Sequence, residues 1–159
     1  LKLSGEALMG TQRAGVDMER VREVGRQVAQ LIVHDLEITV SSLDKLRQVE
    51  AAAEALQRKA TIHLKVDTGM ERIGVHSYSC GPFIETAVAS RWCELKGIYS
   101  HLACADDPSS PMTMRQLERF REACAHFERI GLLGLFHADG DVAFGLFQQA
   151  LLFFIFDVF

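Results

Sequence analysis

Three features of the 159-residue sequence predict an α/β fold of alternating β/α units with parallel strands. Short runs rich in β-branched residues alternate with helical stretches along most of the chain. Polar residues and glycines collect where those runs end, as they do at the carboxyl ends of parallel strands. The composition is globular, with 48% hydrophobic and 24% charged residues, enough for one core.

In chain order, LKLSGEAL reads as a strand leaving through Ser4 and Gly5, and GTQRAG as a turn. Asp17 predicts the N-cap of a helix from Met18 to about Val33, where Val21, Val24, Val28, Leu31 and Ile32 recur at helical spacing. LEITVSS alternates like a strand, and Ser42 or Asp44 can cap the helix LDKLRQVEAAAEALQRK. The pattern then repeats: ATIHLKVDT is a strand, PFIETAVASRW a helix, ELKGIYSHLA a strand, and MRQLERFREACAHFERI a helix that Gly131 stops. LLGLFHADG and IFDVF predict further strands, separated by the ambiguous apolar segment VAFGLFQQALLFF. Strand–helix–strand repeats of this kind make right-handed crossovers and a parallel sheet.

A net charge of −4 gives no basic footprint for nucleic acid or an anionic membrane, so neither is an expected partner. Cys80, Cys93, Cys104 and Cys124 form no C-x-x-C pair and follow no signal-peptide h-region, which suits a reducing cytoplasm. LFQQALLFFIFDVF is too short to cross a bilayer, which takes roughly 20 residues, and ends near Asp157. It reads as core and, uncovered, as a route to self-association or a homodimer. The scattered histidines and cysteines give no metal-ligand spacing, so no metal is expected. Asp106 and Asp107 in ADDPSS suit a polar loop entering a helix at Pro111, and Cys104 lacks a visible orienting partner.

HLKVDTGMERIGV, residues 63–75, is the segment a strand alone does not explain. Lys65 and Arg72 at the mouth of a parallel sheet would form an anion site, with Gly69 and Gly74 admitting a close backbone. Composition by itself favours another arrangement, a salt bridge of Lys65 or Arg72 to Asp67 with the glycines turning the chain.

The order of these residues resembles a signature of alanine racemases, and KGIYSHLACADDPSSPMTMRQLERF resembles the next strand, loop and helix of that family. The resemblance runs from about His34 to Gly131 and more weakly to the end. It implies part of a (β/α)8 barrel, pyridoxal 5′-phosphate as cofactor and a small amino acid as substrate. By the same resemblance Lys65 matches a lysine that can be carbamylated and that positions the nearby arginine. Arg72 matches the arginine on the cofactor's phenolic oxygen and the substrate carboxylate, and His101 a histidine close to the cofactor.

The sequence departs from the family at both ends. It carries neither the family's Schiff-base lysine segment nor its catalytic tyrosine, and HADG at 137–140 stands where a phosphate-binding serine is expected. LKLSGEALMG instead resembles the start of bacterial UMP kinase, which implies nucleotide phosphates near Lys2, Ser4 and Gly5. The expected organisation is a UMP-kinase-like start over 1–33 joined to an incomplete racemase barrel over 34–159. A whole barrel takes about 250 residues, so open strand edges are expected. The function implied is interconversion of L- and D-alanine, weak or lost in this chain alone. The alternatives are nucleotide phosphoryl transfer and a non-enzymatic fusion or remnant.

Overall fold

The computed structural model describes residues 17–107 and 109–131, together with the backbone of 151–155. Its elements are α1 (Met18–Val33), β1 (Ile38–Val40), α2 (Leu43–Leu56), β2 (Ala60–Asp67), β3 (Val75–His76), α3 (Gly81–Ala89), β4 (Cys93–His101), α4 (Met112–Arg129) and β5 (Leu151–Ile155). The strand expected over LLGLFHADG lies outside the described residues.

The helices start and stop for local reasons. Asp17 Oδ1 accepts from the Glu19 and Arg20 amides and opens α1. Ser42, and not Asp44, opens α2 by accepting from the Lys45 amide at 3.3 Å. Gln57 ends α2 in the left-handed region at φ 52°, three residues before β2 begins. Gly131, at φ 77°, follows the end of α4.

β1, β2 and β4 form a parallel sheet in the order β1–β2–β4, and the two-residue β3 pairs in parallel with the carboxyl end of β2. The predicted parallel order thus holds from β1 to β4. β5 departs from it, running antiparallel to β4 with His101 opposite Leu151 and Gly97 opposite Ile155. An antiparallel strand enters from the rim where its neighbour ends, so β5 begins beside His101.

Alternation along β2 divides the sheet into two chemically different faces. Ala60, Ile62, Leu64 and Val66 join one core cluster with Val24, Val28 and Ile32 of α1, Leu46 and Val49 of α2, Phe83 and Ile84 of α3, and Phe120 and Phe127 of α4. The helices therefore cover one face. Thr61, His63, Lys65 and Asp67 alternate with those core residues and belong to the other face.

That second face is tied together by polar contacts. Glu37 accepts from Lys96 Nζ at 2.6 Å and pairs with His63 Nε2 at 2.7 Å, while Tyr99 Oη donates to Thr39 Oγ1 at 3.0 Å.

A register shift sets which β4 side chains join it. Ile62 pairs with Leu95 but His63 pairs with Gly97, leaving Lys96 as an extra residue. Cys93 and Leu95 face the helices before the bulge, and Ile98 and Ser100 do so after it. Tyr99 and His101 are thereby turned to the polar face with Lys65.

Candidate functional site

The candidate site lies at the carboxyl rim, where β2 delivers Lys65 and Asp67, the following loop delivers Arg72, and β4 delivers His101. Asp67, only 4% exposed, organises the loop. Its Oδ1 accepts from the amides of Gly69 at 2.8 Å, Met70 at 2.9 Å and Glu71 at 3.2 Å, and its Oδ2 accepts from the Arg72 amide at 3.0 Å. Burial alone would raise its pKa, but these four amides outweigh it and hold the carboxyl below the usual carboxylate range.

The salt bridge that composition favoured does not form among the described residues. Both Asp67 oxygens instead accept from the backbone of the loop.

Gly74 makes the loop's return possible. At φ 122° it runs so close to β2 that a Cβ would sit 2.8 Å from the Asp67 amide nitrogen and 2.9 Å from the Lys65 carbonyl oxygen.

Lys65 is 5% exposed. Its ammonium donates to the Val66 carbonyl at 3.2 Å and lies 5.2 Å from the centroid of the Tyr99 ring. Burial pushes its pKa down to about 8, with Asp67 opposing and Arg72 reinforcing the shift. His101 is likewise pushed down, by burial first and then by the charges of Arg72 and Lys65. The three residues that the sequence singled out are thus brought within electrostatic reach of one another. The Arg72 side chain is exposed and makes no hydrogen bond or ion pair with the described residues.

A second set of residues, missed from sequence, lies behind this rim on the helix side. Thr68 and Ser100 share a hydrogen bond of 2.7 Å between their hydroxyls. Gln116 of α4, fully buried, donates to Thr68 Oγ1 at 3.0 Å and to the His101 carbonyl at 2.9 Å, and accepts from the Ala103 amide at 2.7 Å. Arg119 donates to the Thr68 carbonyl at 2.9 Å, lying where any side chain on Gly69 would clash. The sequence does hold a signal: Gln116 is a polar residue on the stripe completed by Phe120, Ala123 and Phe127.

Lys2, Ser4, Gly5 and the HADG stretch lie outside the described residues. Asp67, Glu71 and His76 bring potential metal-ligand atoms within 4.8 Å of one another, with both Asp67 oxygens also accepting from loop amides. All four cysteines are free thiols, with burial pushing Cys93 up to about 11 and Cys124 up to about 12. Among the described residues no helix is long and apolar enough to cross a membrane.

A partial parallel barrel whose rim gathers an arginine unpaired among the described residues, a buried lysine and a histidine defines an α/β anion-binding class of site. Residues 7–140 match the family model described as alanine racemase, N-terminal domain, and the chain belongs to that family. Alanine racemase 1 of Oceanobacillus iheyensis is 38% identical over 105 residues, which is 65% of this chain and 28% of that protein. The alanine racemase of Francisella philomiragia is 30% identical over 114 residues, 72% of this chain and 31% of that protein. The crystal structure of alanine racemase from Streptomyces lavendulae superposes with a TM-score of 0.63 at 36% identity, covering 66% of this chain and 28% of that one.

The chain thus spans about three-tenths of the length of these relatives. Pyridoxal phosphate as cofactor class agrees with this family membership. The match crosses residues 33 and 34, and nothing in these similarities supports the kinase resemblance.

The rim suits an anionic group such as a phenolate or carboxylate oxygen. Among the described residues the Arg72 guanidinium has no partner, while the carboxylate of its own motif accepts from the backbone.

Proposed function

We propose that this chain is part of an alanine racemase barrel and supplies the cationic rim of a site that interconverts L- and D-alanine with pyridoxal phosphate. The observation that carries the proposal is Arg72, whose guanidinium has no partner among the described residues beside buried Lys65 and His101.

Pyridoxal phosphate, when bound, supplies an electron sink for a carbanion next to an amino-acid carboxylate. Arg72 would hold the substrate carboxylate or the cofactor's phenolic oxygen, for which its planar fork is suited. Lys65 acts behind it. With its pKa lowered to about 8, a far larger share of its amine is neutral near pH 7.4 than in an ordinary lysine. A neutral amine can add carbon dioxide and release a proton, and the resulting carbamate would orient Arg72 as an anion. His101, kept neutral more readily by burial first and then by Arg72 and, while it is still an ammonium, by Lys65, offers an uncharged ring beside the cofactor.

Among the described residues Lys65 is the only lysine at a strand's carboxyl end, and its role here is to orient Arg72. We therefore infer that this chain alone racemises alanine slowly or not at all.

The test is a titration of the purified chain with pyridoxal phosphate, followed by absorbance and then by assay of L- to D-alanine conversion. Saturable binding that weakens at least tenfold in Arg72→Ala supports the rim assignment, since a lost charge-assisted pair is worth about 1.5–3 kcal/mol. Absence of binding removes it. Measurable racemisation by the chain alone, abolished in Arg72→Ala, would overturn the inferred inactivity. The nucleotide-kinase alternative predicts stabilisation by ATP or UMP that Lys2→Ala abolishes, and no observation above favours it.

A further inference from the structure

We infer that Gln116 is a positioning residue, whose side-chain amide clamps the ends of β2 and β4 from the helix side and so fixes the distance between Lys65 and His101. The inference rests on the racemase reading for the purpose of that spacing, but its geometry does not.

A carboxamide offers two donor hydrogens and one acceptor oxygen, and Gln116 uses all of them. One hydrogen goes to Thr68 Oγ1, just past the end of β2, and the other to the carbonyl of His101, the last residue of β4. The oxygen takes the Ala103 amide, which holds the chain as it leaves β4. Thr68 passes the constraint back across the sheet through its 2.7 Å bond to Ser100, and Arg119 pins the Thr68 carbonyl.

β2 and β4 are last paired at Lys65 and Tyr99, so beyond that point the ladder no longer holds the two strand ends together. The carboxamide takes over where the ladder stops. Gln116 is fully buried, with apolar Phe120 and Ala123 following it on the same stripe, and a polar side chain is retained there only if it is satisfied. Neither a leucine nor a glutamate could replace it: the first makes no hydrogen bond, and an ionised glutamate has no hydrogen for Thr68 or His101.

The experiment is a histidine NMR titration of the full chain, without cofactor, in wild type, Gln116→Met and Thr68→Val. His101 is the reporter, because Arg72 and Lys65 face it and help to push its pKa down. Released strand ends should let the His101 midpoint rise toward 6.5.

An unchanged His101 midpoint in a folded variant overturns the inference. Should both variants unfold, the wild type still decides: the Gln116 side-chain protons must exchange far more slowly than those of free glutamine, and fast exchange overturns the clamp. Pyridoxal phosphate binding is scored separately. A chain that binds none but keeps the His101 response loses the racemase reading and keeps the clamp, and the reverse result does the opposite.

Discussion

Buried Lys65 and buried Asp67 both make folding stability rise with pH, in separate windows, the first by relieving a cost and the second by adding a gain. Lys65 has its pKa lowered to about 8 from 10.5, so between those values the unfolded chain binds more protons and folding stability rises with pH. Below pH 8 the folded protein carries the cost of a buried charge. Lys65→Met should therefore stabilise the chain at neutral pH, by up to about 3 kcal/mol, and flatten its pH dependence from 8 to 10.5 relative to wild type, as urea titrations at several pH values would show. Asp67 acts in the acid range with the same slope but as a net gain, because its folded pKa is depressed below 3.8. Its contribution is full above the unfolded value and is lost as pH falls through the folded one. Asp67→Asn, which replaces a charged acceptor of four amides, should lower stability by about 2 kcal/mol at pH 7 and lose less than wild type on acidification. Lys65, Arg72 and His101 were singled out through the order of residues in their two motifs, since residue types alone pointed to a salt bridge with Asp67. The structure shows only that these three are close enough to act on one another electrostatically. The role of Asp67 was not legible in the sequence, since an aspartate that pairs with a cation and one that caps a loop have the same letter and spacing.

At the level of elements, the helices were the more readable part. Asp17 and the spacing of Val24, Val28 and Ile32 place α1 where it is found, because one cap and one apolar stripe suffice to define a helix. β4 was harder: its core positions change parity at Lys96, and a period-two pattern read through a bulge assigns the wrong face to everything beyond it. Deleting Lys96 should leave a regular ladder with Ile98 still inward and His101 still on the polar face, so the His101 NMR response to Arg72→Ala should persist. The loss should be limited to the exposed Lys96–Glu37 pair, about 1 kcal/mol or less in urea titration. The loop after β2 makes a sharper contrast among glycines. Gly74→Ala forces a Cβ against backbone at φ 122° and should cost about 3 kcal/mol or more, whereas Gly131→Ala, at φ 77° with nothing within 4 Å, should cost about 1 kcal/mol. Chemical denaturation of the two variants side by side checks the difference.

For the molecule as a whole, the sheet ends on two strands that are paired on one side only among the described residues, β1 and β5. A groove lined by Val28, Leu31, Leu36, Ile38 and Val49 runs beside β1, and the β5 segment LLFFI is wholly apolar in sequence. Unpaired edges of that composition recruit further strands. Sedimentation velocity should show concentration-dependent association, relieved by Phe153→Glu or Phe156→Glu, and a chain that stays monomeric at high concentration would remove the expectation. The antiparallel course of β5 was not readable, because strand direction depends on the path of the chain between elements and leaves no mark in the pattern of a five-residue run. The polar face has a further consequence for anyone who would cut such a protein in two. Thr39 with Tyr99, and Glu37 with His63 and Lys96, already satisfy one another across the surface that a closed barrel would turn inward. A split on this side of the barrel exposes a wettable wall in place of an oily one, which favours reassembly of two separately expressed pieces over precipitation.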